Sequence, residues 1–146
     1  MPHINLLYPF IPVEHDFDTA PLSESLKDVE PFTMSLSEFS FFKHGKKSAT
    51  VWLRPDTSTP DALEVVFRSC VESAPHCSDL ADRFDGVFKP HMSVGQWKPA
   101  AAEAYAAAAT ETWESIEFVV DHVCVISRAD ADDPFHVRYR VPFGGG

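Results

Sequence analysis

The sequence is poor in cysteine, in basic residues and in long apolar runs, and each shortage excludes a class of protein. Cysteine occurs three times, at positions 70, 77 and 124, with no CxxC pair. An odd and scattered set builds no disulfide framework, so reduced intracellular thiols are expected. Lysine and arginine number 12 against 22 acidic residues, a formal net charge of −10. That balance argues against sequence-blind binding to duplex DNA or long RNA, because the phosphate backbone is repelled. A small anionic substrate in a shielded pocket stays open. No apolar run approaches the ~20 residues that span a bilayer. No basic stretch followed by an apolar core marks a signal peptide. No membrane partner is therefore expected, and the cytoplasm is the default location in the absence of targeting signals. Metal signals are also weak. His15-Asp16-Phe17-Asp18 and His76-Cys77 match no standard zinc spacing. Asp130-Ala131-Asp132-Asp133 lacks the mid-loop glycine of a calcium loop, and Val141 stands where its terminal glutamate belongs. No metal or other cofactor is expected.

What is present suits one globular domain. The 146 residues are 45% apolar, with twelve phenylalanines and three tryptophans to fill a core. His3 to Phe10 reads as an apolar strand closed by Pro9 and Pro12. An acidic stretch, 14–18, leads into a short helix near Pro21 to Leu26. Phe32, Met34 and Leu36 alternate with Thr33 and Ser35, the period of a strand with one wet face. The strand over 32–42, a polar turn at Lys43 to Lys47 and a returning strand over 49–53 make a hairpin. Residues 55–60 read as a loop. Thr59 and Pro60 suit the N-cap and first turn of a helix carrying Leu63, Val66, Phe67, Cys70 and Val71 at helical spacing. Residues 76–86 read as loop and 88–97 as a second strand. The alanine-rich segment 100–113, opened by Pro99, has high helix propensity. Residues 116–127 are rich in β-branched side chains and read as one strand. A turn at 130–134 leads to a last strand over 135–143. Each half of the chain thus holds a histidine strand, a helix and a hairpin.

Two segments repeat one pattern. Pro2-His3-Ile4-Asn5-Leu6 and Pro90-His91-Met92-Ser93-Val94 both read Pro-His-apolar-polar-apolar. Alternation along a strand puts His3 with Asn5 on one face, and His91 with Ser93 on one face. Ile4, Leu6, Met92 and Val94 then point the other way, into apolar cores. Two strands each offer an imidazole and a small hydrogen-bonding partner to a common cleft.

His3-Ile-Asn5 and His91-Met-Ser93, with the flanks PHINLLYPF and KPHMSVGQW, resemble the paired H-x-[S/T] motifs of the 2H phosphoesterase superfamily. That family includes LigT-like 2′-5′ RNA ligases and cyclic nucleotide phosphodiesterases. The resemblance implies an α+β fold of two pseudo-symmetric lobes of mainly antiparallel sheet, with outer helices and a central cleft, in a single bilobal domain over 1–146. It implies opening of 2′,3′-cyclic phosphates of nucleotides or RNA ends without metal. His3 and His91 would be the acid/base pair, and Asn5 and Ser93 the phosphate-binding donors. Tyr8, Phe10, Gln96, Trp97 and Tyr139 are further candidates for substrate contact, by stacking on a base or by hydrogen bonding. Arg138 and Arg140 share a strand face and can add positive charge. Two departures stand out. Asn5 occupies the place of the first Ser or Thr. The family's leading strand and helix do not precede the first motif, which implies an open sheet edge and a strand-completing partner or homodimer there. A non-catalytic nucleotide-binding module and a 2′-5′ RNA ligase remain the alternative functions.

Overall fold

In the computed structural model the described residues are 1–11, 17–77 and 79–144. The metal-like pair His15-Asp16 lies outside them. The elements run α1 (Ala20–Leu26), β1 (Phe32–His44), β2 (Ser48–Thr57), α2 (Ala62–Ser73), α3 (Asp79–Asp82), a 3-10 turn (Phe84–Gly86), β3 (Met92–Trp97), α4 (Pro99–Thr112), β4 (Ile116–Val120), β5 (His122–Ser127) and β6 (His136–Pro142). The fold is α+β, with a four-stranded antiparallel sheet in the order β3-β2-β1-β4 and a two-stranded antiparallel sheet, β5-β6. Among the described residues no helix is long and apolar enough to cross a membrane.

The β1–β2 hairpin is the frame. Its turn begins at Gly45, at φ +68°, a conformation that costs glycine little. Near the other end Leu36 pairs with Pro55 and Glu38 with Arg54, leaving Ser37 as a bulge. Pro55 has no ladder donor to lose, so a bulge tolerates it. The extra residue keeps Phe32, Met34, Leu36 and Phe39 on the buried face. Disturbing the ladder frees backbone groups, and α4 and the residue after it satisfy two of them. Thr110 Oγ1 accepts from the Phe39 N–H at 3.0 Å, and Trp113 Nε1 donates to the Leu36 carbonyl at 2.8 Å. The alanine-rich helix lies close to the sheet through Ala102 and Ala106, both buried. Ala49, Val51 and Leu53 of β2 complete this layer.

α1 packs on α2 and on β6 of the small sheet. Leu26 is fully buried, its carbonyl accepts from Gly144 N–H at 3.3 Å, and Phe143 stacks on Phe32. Leu63, Val66, Phe67 and Cys70 form the buried stripe of α2.

Several sequence expectations are corrected. The apolar run 3–10 is no strand; it contributes a single bridge at Ile4, and Pro9, which has no N–H, stands where a ladder would continue. β2 runs through Pro55 to Thr57, where a loop is expected. α2 starts at Ala62 instead of Pro60, because Asp61 is left-handed (φ 58°) and interrupts the helix there. The loop 76–86 contains α3 and the 3-10 turn, and β3 begins only at Met92. The single strand 116–127 is two. It breaks at Asp121, whose carbonyl accepts from Phe143 N–H at 2.8 Å, and the chain changes sheets there. The two sheets therefore do not follow the halves of the chain: the first-half hairpin β1–β2 pairs with β3 and β4 of the second half.

Two outcomes follow from this packing. Trp113→Phe keeps the ring but strands the Leu36 carbonyl, and urea denaturation should show a loss of about 1–3 kcal/mol; an unchanged midpoint would remove the bulge-capping role. Burial pushes the Cys70 thiol up to about 12, whereas an unfolded thiol ionises from about 8.5. The folded state holds that proton longer, so the Cys70 contribution to stability is full below about pH 8.5 and is lost as the pH rises toward 12. Cys70→Ala should flatten this alkaline decline in denaturation midpoints measured across pH, and exposed Cys124 should alkylate first in the native protein.

Candidate active site

The two Pro-His motifs meet through one antiparallel bridge, Ile4 to Met92. Met92 in turn pairs with Leu53 of β2. Directly paired residues project to the same face, so Ile4, Met92 and Leu53 line up on the core side. Alternation along β3 turns Ser93, and His91 just before it, to the other face.

The two imidazoles are held alike. His91 Nδ1 lies 2.8 Å from the Lys89 carbonyl, and His3 Nδ1 lies 2.9 Å from the Met1 carbonyl. A carbonyl only accepts, so each Nδ1 carries the proton and each Nε2 stays outside that hydrogen bond. The rings differ in their surroundings. His91 sits edge-on to Phe42 and Trp52, which stack on each other. His3 sits edge-on to Phe135, at 5.2 Å.

A cavity of about 130 Å³ opens on this face, lined by Asn5, His91 and Ser93 from the motifs. His44 and Thr50 of the hairpin, with Arg83 and Lys89, supply the rest of its polar wall, and among the described residues no carboxylate lines it. In a chain of net charge −10, such a wall concentrates positive potential where an anion would sit. His3 is not part of that wall. It lines a larger, mainly apolar cavity of about 370 Å³ between residues 1–7, α2 and β5, and Asn5 borders both cavities.

The remaining sequence candidates scatter. Trp97 lies on the opposite face, stacked on Tyr105 of α4 at 4.4 Å, and Gly95 leaves room for its ring. Tyr8 is exposed and borders neither cavity. Phe10 lines the larger cavity and meets Phe17, which meets Tyr139. Tyr139 borders neither cavity, and Arg138 donates to Ser127 Oγ at 2.7 Å. Gln96 stands behind the smaller cavity, donating to Thr50 Oγ1 at 2.8 Å. Sequence reasoning missed His44, Thr50, Arg83 and Lys89. For His44 and Thr50 a signal existed: they share the alternation phase of Phe42 and Trp52 on the hairpin. Arg83 arrives from an irregular stretch that carries no periodicity. Among the described residues, no group of three or more His, Cys, Asp or Glu is placed to hold a metal ion.

Residues 1–132 match the family model of the 2′-5′ RNA ligase superfamily. No curated protein matches the chain.

The assignment of Trp97 to the sheet–helix contact is open to test. A Cβ at position 95 would stand 2.7 Å from the Trp97 ring. Gly95→Ala should therefore cost about 1–3 kcal/mol through overpacking, read by urea denaturation with Trp fluorescence; a neutral substitution would remove Trp97 from that contact.

Proposed function

Because the chain belongs to the 2′-5′ RNA ligase superfamily, we propose that it opens 2′,3′-cyclic phosphates of nucleotides or RNA ends. The observation that carries this reading is the Ile4–Met92 bridge, which brings two Pro-His motifs side by side with both imidazoles anchored through Nδ1. The histidine, arginine and lysine side chains of the smaller cavity, with no carboxylate among its described lining residues, support an anionic substrate.

In this mechanism one Nε2 takes a proton from water. The oxygen attacks phosphorus as the bond to one ribose oxygen breaks. The other imidazole, protonated at Nε2, gives its proton to that departing oxygen. The Ser93 hydroxyl and the Asn5 amide donate to the non-bridging oxygens, whose charge grows in the transition state. His91 and His3 fill the acid and base roles in either order. With a ribose 5′-hydroxyl in place of water, the same groups form a 2′-5′ phosphodiester as the 3′-oxygen departs and is protonated. The substitution of Asn5 for a hydroxyl residue favours a second reading, a binding module without turnover.

Incubation with the four 2′,3′-cyclic nucleotides separates the readings. Hydrolysis should fall by about 10²–10⁴ in His3→Ala and in His91→Ala. The rate should follow a bell in pH, as one acid and one base acting together require. A purified parent that binds these nucleotides but turns none over supports the binding module; a flat pH profile with turnover removes the histidine pair.

A further inference from the structure

Thr50 is the buried polar side chain in the wall of the smaller cavity, and it ends a directed chain of hydrogen bonds. Ser48 Oγ donates to Gln96 Oε1 at 3.0 Å, and Gln96 Nε2 donates to Thr50 Oγ1 at 2.8 Å. His44 Nε2 lies 2.8 Å from the same oxygen. A hydroxyl has one proton to give and two lone pairs with which to accept. While His44 Nε2 is unprotonated, the Thr50 hydroxyl gives its proton to the imidazole. Once Nε2 is protonated it donates to Thr50 Oγ1 instead. Both lone pairs are then filled, by Gln96 and His44, and the hydroxyl proton is released toward the cavity.

We propose that Thr50 is a phosphate-oxygen donor of this cavity and that the protonation of His44 switches it on. This rests on the anion-binding reading above and adds two residues to it. The position fits. Trp52 pairs with Ser93, and Thr50 stands one pleat along β2 on the same face, about 7 Å away. An oxyanion bonded to Ser93 on one side and Thr50 on the other spans a gap of that order.

The charged groups around His44 are cations. On its own hairpin these are Lys43, which lies over the Phe41 ring, with Lys46 and Lys47 in the turn. From the other walls of the cavity come Arg83, Lys89 and His91, with no carboxylate among the described lining residues. A bound oxyanion is therefore the negative charge that the His44 proton meets, and by linkage anion and proton each favour the binding of the other.

Sulfate tests the switch without turnover, because its charge is constant over the range used. Calorimetric titration of the parent should show tighter binding at pH 5.5 than at pH 8.5. Thr50→Val should weaken sulfate binding about tenfold at pH 5.5, the value of a charge-assisted hydrogen bond, and have little effect at pH 8.5. Thr50→Ser, which keeps the hydroxyl, should retain binding. His44→Gln, whose amide N–H donates to Thr50 Oγ1 at every pH, should hold the switch on, so that Thr50→Val weakens binding alike at pH 5.5 and pH 8.5 in that background. In the parent a Thr50→Val effect equal at both pH values, in His44→Gln a Thr50→Val effect that still depends on pH, or failure of Thr50→Ser to retain binding would overturn the switch alone. A parent that binds no sulfate at either pH would overturn the anion cavity, and with it the proposed function.

Discussion

One antiparallel bridge, Ile4 to Met92, holds the first histidine motif against the four-stranded sheet. Its strength lies in what flanks it. Ile4 and Met92 project to the core side and pack against the main hydrophobic cluster, where each buried apolar side chain contributes on the order of 1.5–3 kcal/mol. Backbone hydrogen bonding at one bridge is a small part of that. The motif is thus positioned by apolar side chains packed on the core.

The sheet that receives the bridge depends on the irregularity at Ser37. Without the extra residue, Phe39 would leave the buried face that holds Met34 and Leu36. With it, the Leu36 carbonyl and the Phe39 N–H need partners from outside the ladder, and Trp113 and Thr110 provide them. The helix is in this way keyed to the bulge as well as packed on the sheet. The same hairpin carries Phe42, His44, Thr50 and Trp52 on its other face, so one pair of strands serves the core on one side and the cavity on the other.

The elements with clear periodicity were legible from residues alone. The hairpin, the α2 stripe, the alanine-rich helix and the last strand all appear where local pattern puts them. The misplacements fall where a nonlocal contact or one backbone angle decides: Asp61 with its left-handed φ, Asp121 where one β-rich run is divided between two sheets, and residues 3–10, which are apolar enough for a strand but find a partner at one position. The paired motifs pointed to the right family. They did not show that Trp97, two residues from Gly95, faces α4, since β3 has a register shift opposite Val51 and Trp52. They did not show that His3 and His91 would border different cavities.

The sequence by itself determined the class of fold, the two Pro-His motifs and the acidic surface against which a cationic cavity has meaning. These depend on composition and on spacings of a few residues, which steric alternation and helix periodicity convert directly into structure. Only the tertiary structure decided which groups share the cavity. His44 and Thr50 from the first hairpin, Arg83 from an irregular turn and His91 just before β3 converge there, most of them from positions tens of residues apart. No local rule connects such residues; strand pairing and the burial of the opposite face bring them together, and that is a property of the whole chain's packing.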